Sequence, residues 1–397
     1  MSDFTSDELN DRIGRLREHL AQSDIDLAVL TANSDVYYYS GSVQPLYLVV
    51  PAEGVPIILA RKAVNRLGVE AAHLAVEYFT SGKELAAITE RYGVSSARRV
   101  GLTLDIISYA SVGRLQSLFP DAELVDLSWD IRRLRMVKSE AEIALHTKAA
   151  EIVSAVPHVA RSSFRPGMTE LEFSAAFEHH FRIHGHAGFL RMRREGAEMP
   201  VAGVLSSGSN TLAGTKFDGI CSGMGLSAAT PYGANNDPIR KGVPVLLDFG
   251  VNYDGYIVDQ TRMFCWGRPK DEVTRAYDAM LGVEQTIFDR MKPAVSWEDV
   301  YAAAVDRAAA LGYEETFMGL GAEKVRFVGH GVGLELDEPP FIAPKMPYPL
   351  EAGMVVALEP KAALPGIGIV GIEDTVVVRD KDVERLTDCA RDLIVVE

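Results

Sequence analysis

Apolar residues recur at helical spacing near the start of the chain, where Leu9, Ile13, Leu16 and Leu20 follow Thr5-x-x-Glu8, the order of a capping box. The pattern predicts an amphipathic first helix. Short strand-like runs come next, at Leu27 to Thr31, Leu46 to Val50 and Pro56 to Leu59, alternating with helical spacing such as that from Arg61 to Leu74. An α/β domain is therefore expected over residues 1–130, with its boundary near Trp129-Asp130-Ile131-Arg132. A long helix is predicted from Lys138-Ser139-Glu140 through Ala160. Another starts at Thr169 and carries Phe173, Phe177 and Phe181 on one stripe before ending near His184-Gly185. The pattern then changes to strands broken by loops, the longest being the glycine-rich span from Ser206 to Asn236. Helices near Lys270 to Met291 and Trp297 to Leu311 precede a strand-rich end, so residues 131–397 make a second domain and the fold class is α/β (α+β).

Within the strand-rich part, LLDFGVNYDGYIVDQT reads as strand, turn and strand, each strand holding one aspartate among apolar neighbours. A hairpin with the four-residue loop Asn252-Tyr253-Asp254-Gly255 pairs Val251 with Tyr256 and sets Asp248 opposite Asp259. Directly opposed residues bring their Cβ atoms to roughly 5 Å, and like charges there are destabilising. A cation must lie between them, or one must be protonated. Glu359 in MVVALEPK and Glu373 in GIVGIEDTVVV repeat the arrangement across a connection centred on Gly366. His330 in FVGHGVG is a fifth candidate, with glycines that let backbones approach and leave the imidazole unobstructed. Four carboxylates and one imidazole carry about four negative charges, which two divalent ions would match. Oxygen-rich ligands with a single nitrogen suit Mn, Co, Fe or Zn, and the lack of thiolates disfavours a structural zinc. A lone acid on a strand more often faces solvent, so the site reading depends on the strands pairing in the expected register.

Composition narrows the partners. The chain has 397 residues, 47% hydrophobic and 24% charged, which suits two domains with real cores. A formal charge of −15 with a pI near 5.1 leaves no broad basic surface, which argues against nucleic acid and anionic membranes as partners. Cys221, Cys265 and Cys389 are odd in number and widely spaced, as expected for reduced thiols in the cytoplasm. The acidic start, with Asp7 and Glu8, is the opposite of a basic signal peptide, and no run of about 18 apolar residues exists to span a membrane.

With LLDFG (Asp248), VDQTRMF (Asp259), GHGVGLE (His330), ALEP (Glu359) and GIEDTV (Glu373) in this order, the chain resembles the pita-bread metallohydrolases, the family of prolidase, aminopeptidase P, creatinase and methionine aminopeptidase. The resemblance spans the chain and implies a creatinase-type N-terminal α/β domain followed by a pita-bread catalytic domain, joined at RRLRMVKSEAEI. It implies one ion held by Asp259, His330, Glu359 and Glu373 and another by Asp248, Asp259 and Glu373, with a bridging hydroxide attacking an amide carbonyl. Glu359 is the expected proton carrier. The implied activity is that of an Xaa-Pro aminopeptidase or dipeptidase acting on short peptides or small amides. The implied assembly is a homodimer.

The sequence departs from that family where helper residues are expected. Tyr232, in ATPYG, stands where a histidine usually precedes the first metal strand, Asp337 where a second histidine follows the ligand histidine, and Gly371 where an arginine precedes the last glutamate. Tyr232 and Asp337 are therefore candidate substrate-binding residues, and Asp337 favours an amine-bearing substrate. The departures keep open a non-peptide C–N hydrolase or a lyase on the same scaffold, and a catalytically silent binding module. Two further clusters carry blander readings. Arg191, Arg193 and Arg194 are expected on a solvated strand face, and His179, His180, His184 and His186 on the shoulder of a helix end.

Overall fold

In the computed structural model, residues 4–194, 199, 201–216, 219–220 and 222–397 are described; Cys221 lies outside them. The chain divides into two units, the first running to Arg135 and the second starting at Met136.

The first unit is built on a six-stranded mixed sheet. Its strands lie in the order Ala75–Tyr78, Ile57–Ala60, Tyr47–Pro51, Leu27–Leu30, Arg99–Leu102 and Glu123–Asp126. The three inner runs expected from the sequence form within a residue or so of their expected ends, and every residue of the Leu27–Leu30, Tyr47–Pro51 and Ile57–Ala60 strands is buried. Burial on both faces explains why these strands read as continuous apolar runs. The first helix, Ser6–Gln22, starts at Thr5, whose hydroxyl accepts from the Glu8 amide at 3.2 Å, and buries Leu9, Ile13, Leu16 and Leu20. The helix expected over Arg61 to Leu74 is shorter, Val64–Glu70.

In the second unit the long helix expected from residue 138 to 160 is two helices, Glu140–Val153 and Val156–Ser163. Ser139 and Glu142 close a full capping box at the start. Pro157, in the first turn of the second helix, has no amide hydrogen to continue the preceding ladder, which explains the break. Helix Glu170–Ile183 begins with a second capping box, Thr169 with Glu172. Its Phe173 packs 5.1 Å from Phe264, and Phe177 and Phe181 lie 4.8 and 5.4 Å from Phe249, measured between ring centroids. This aromatic layer braces one face of a long hairpin, Pro244–Tyr253 and Tyr256–Trp266. Because side chains alternate across a strand, Asp248 and Asp259 project from the other face.

The hairpin belongs to a four-stranded sheet with Gly203–Ser207 and Ile394–Val396 at its edges. A five-stranded sheet orders Glu338–Ile342, Gly329–Gly331, Val355–Leu358, Asp374–Val378 and Val383–Arg385, and a small two-stranded sheet pairs Lys361–Leu364 with Gly368–Gly371. Thr261 and Glu373 form a bridge, each amide donating to the other's carbonyl, so the hairpin and the end of the second acidic pair are stitched together.

Candidate metal centre

The first acidic hairpin is tighter than the sequence suggests. Its loop is two residues, Asp254-Gly255, both with positive φ (46° and 95°), and Tyr253 pairs with Tyr256. That is the twist a two-residue hairpin turn demands. Asp248 consequently faces Thr261, and Asp259 faces Gly250, which corrects the expected direct pairing of the two aspartates. The slip is two positions, so both carboxylates remain on one face as diagonal neighbours. The second hairpin holds the expected register. Leu358 faces Asp374 and Lys361 faces Gly371, so Glu359 and Glu373 confront each other where the ladder is interrupted.

His330 comes from the second strand of the five-stranded sheet, opposite Ala357 on the middle strand. A Cβ on Gly329 would fall 2.5 Å from the Ala357 carbonyl oxygen, and one on Gly331 would collide with Pro339 and Glu338. The flanking glycines are thus required by backbone proximity. Ligand atoms of Asp259, His330 and Glu373 all lie within 4.8 Å of one another, close enough to share one ion. His330 Nε2 is 3.8 Å from Glu359 Oε1.

Supporting contacts fix these side chains. Thr261 Oγ1 donates to Glu373 Oε2 at 2.8 Å, and the Thr375 hydroxyl accepts from the Asp259 amide at 2.9 Å. On the opposite side of its strand, buried Arg262 donates to the Glu373 carbonyl at 2.8 Å and to Asp374 Oδ1 at 2.7 Å, holding the Glu373-Asp374 segment in place. Such backing of ligands by outer contacts is usual in metal sites.

Sequence reasoning missed Lys361. Its ammonium lies 2.7 Å from Glu359 Oε2, 3.0 Å from Glu373 Oε2 and 3.3 Å from Asp248 Oδ2, and its side chain is fully buried. The signal was present in ALEPK: a lysine two residues after Glu359 in an otherwise apolar run, where burial requires partners of opposite charge. The charge count made from the sequence omitted it. Even with this cation, burial pushes the Glu373 carboxyl up to about 7, Asp248 and Glu359 adding to the rise and Lys361 opposing it. Burial, then Glu373 and Asp248, also raise Asp259 well above the ordinary aspartate range. His330 is raised despite burial, because Asp337, Glu359 and Glu373 favour its charged form. Carboxylates this reluctant to ionise, beside an imidazole, fit a divalent ion at Asp259, His330 and Glu373.

The centre opens into a cavity of about 360 Å³ lined by His330, Glu359, Tyr232 and Asp337 together with apolar side chains such as Phe327 and Leu336. The two candidate substrate residues therefore face the same space as the centre. Gly371 brings no side-chain cation, and Lys361, on the strand paired with it, supplies one to the acids instead. The arginine expectation is corrected for Arg193, which makes a buried ion pair with Glu335 at 3.1 Å, both side chains 2% exposed, in a segment without strand structure. His180 and His184 stack at 4.1 Å near the helix end, and buried His186 bonds the Val201 carbonyl at 2.7 Å and accepts from the Asn252 amide at 3.0 Å. These histidines serve the helix end and the neighbouring strand.

A creatinase-like α/β unit followed by a pita-bread unit, with acids and a histidine converging from separate strands, defines a metallohydrolase of the pita-bread class. The chain belongs to metallopeptidase family M24, whose model matches residues 144–380, and the model of the creatinase/prolidase N-terminal domain matches residues 12–137. It is 28% identical over 392 residues to the Xaa-Pro dipeptidase of Pyrococcus horikoshii, covering 98% of this chain and 100% of that one. It is 30% identical over 394 residues to the probable dipeptidase PepE of Mycobacterium bovis, covering 95% and 94%. Among solved structures, the prolidase from Pyrococcus horikoshii superposes with a TM-score of 0.80 at 25% identity, over 97% of this chain and 100% of that one.

Proposed function

We propose that this enzyme hydrolyses short peptides at Xaa-Pro bonds, with Asp248, Asp259, His330, Glu359 and Glu373 as the cation-binding set. The observation that carries this reading is that Asp259, His330 and Glu373 come close enough to share one ion, beside a largely apolar cavity that His330 and Glu359 line. Relatives named Xaa-Pro dipeptidase, matching over nearly the whole chain, support it. A divalent ion held there polarises an amide carbonyl and acidifies water. Glu359 lines the cavity and lies 3.8 Å from His330, a placement suited to taking a proton from water and passing it to the leaving amine. Lys361 fixes the orientation of Glu359 through its other oxygen. Tyr232 and Asp337 contact the substrate. Manganese is our choice among Mn, Co, Zn and Fe for the working ion, in a cytoplasmic homodimer; no helix among the described residues is long and apolar enough to cross a membrane.

The test is turnover of Xaa-Pro dipeptides, longer Xaa-Pro peptides and small non-peptide amides with added Mn, Co or Zn. Cleavage of an Xaa-Pro substrate supports the proposal. A second reading, hydrolysis of a non-peptide C–N bond, is favoured by Asp337 in the cavity and Gly371 beside Lys361. Cleavage of small amides with inert Xaa-Pro peptides would select it.

A further inference from the structure

Two divalent ions would match the charge of the four carboxylates and the imidazole, but the chain itself places one cation there. Lys361 Nζ touches an oxygen of Asp248, of Glu359 and of Glu373 at 2.7–3.3 Å, so three of the four acids converge on it. Asp248 matters most. Of the two ion positions the family resemblance implies, only one uses Asp248, and that carboxylate is directed at the ammonium. A zinc-like divalent ion takes carboxylate oxygens at about 2.0–2.2 Å. It cannot share that volume with an ammonium, which also repels it.

The lysine is enclosed on the side chain and tied down at the backbone. Its side chain is completely buried, and its carbonyl is tied to the Met318 amide at 2.9 Å. Gly371, opposite it in the small sheet, leaves the aliphatic stem its space, since a Cβ there would fall 2.5 Å from Lys361 Cγ. The remaining cation position is different in kind. Asp259, His330 and Glu373 can meet on one ion, and Glu359 turns Oε1 toward His330 while Oε2 faces the lysine.

We propose that the Lys361 ammonium replaces one of the two metal ions expected of this centre, and that the chain binds a single divalent ion at Asp259, His330 and Glu373. The lysine then supplies the positive charge that holds Asp248, Glu359 and Glu373 together in the absence of a second ion. The inference rests on the metallohydrolase reading above.

The experiment uses the full chain, stripped with chelator, equilibrated with excess manganese, freed of loose ion and counted by elemental analysis. One manganese per chain is expected for the wild type, and two for Lys361→Ala, which removes both the charge and the bulk. Electron paramagnetic resonance of the manganese-loaded wild type gives an independent reading should the variant not fold: an uncoupled single-ion spectrum is expected. A wild-type count of two or of none, a spin-coupled pair, or a folded Lys361→Ala that still binds one ion would overturn the proposal. Turnover of Xaa-Pro dipeptides by the same samples tests the peptidase reading separately, because the ion count decides on Lys361 whether or not the peptide is cleaved.

Discussion

Glu359 shares its two oxygens between His330, 3.8 Å away, and Lys361, 2.7 Å away, so its charge serves both a cation and the proposed proton transfer. Glu359→Gln keeps the shape and removes the base. It is expected to lower kcat on an Xaa-Pro substrate by on the order of 10²–10⁴ while the circular dichroism spectrum is retained; undiminished turnover would remove Glu359 from the chemistry. A second residue acts on stability alone. His146 is fully buried, bonded through Nδ1 to the Ile257 carbonyl at 2.9 Å, and burial followed by the charge of Lys138 pulls its pKa down to about 3. In the unfolded chain it titrates near 6.5. The folded form thus binds fewer protons in this window, and stability is fully present above about pH 6.5 and is lost as pH falls toward 3. Urea unfolding at stepped pH is expected to show a loss of up to about 1.4 kcal/mol per pH unit from this group, absent in His146→Gln. An unchanged slope in that variant would assign the acid sensitivity elsewhere.

Elements place these residues, and here the sequence was legible to differing degrees. The capping boxes at Ser139 and Thr169 were written in local residues, and the helix starts fall where those residues stand. The break at Pro157 was written there too, but the apolar spacing on both sides masked it. The first hairpin shows why register is harder to read. Asp254-Gly255 fits both a four-residue loop and a two-residue turn, and only the second satisfies the positive φ at both positions. The two-position slip preserved the face of every side chain, which is why the site survived an incorrect pairing. Around His330 the glycines were readable, and their cause is steric: Gly331→Ala must collide with the Pro339 and Glu338 carbonyls. This substitution is expected to cost about 1–3 kcal/mol in denaturant unfolding and to weaken manganese binding, since His330 moves with its strand. Wild-type stability and ion affinity together would refute the packing argument.

At the scale of the whole chain, the five motifs disclosed the family, whereas Lys361 escaped because its meaning depends on meeting Asp248 and Glu373 from two other segments as well as Glu359 from its own. Charge summed along a sequence does not reveal which charges meet. A centre with raised carboxyl pKa values should also be a thermodynamic sink for cations. Manganese is accordingly expected to raise the melting temperature in a concentration-dependent way, reaching about 2.7 kcal/mol of added stability at one hundred times its dissociation constant. A melting temperature indifferent to manganese and to chelator would mean that no ion prefers the folded chain.

The most direct measurement is anomalous diffraction at the manganese edge from crystals grown in excess manganese. The account predicts one peak among Asp259, His330 and Glu373, with the Lys361 ammonium still seated against Asp248, Glu359 and Glu373. Two peaks with the lysine displaced, or no peak with the acids splayed apart, would contradict it.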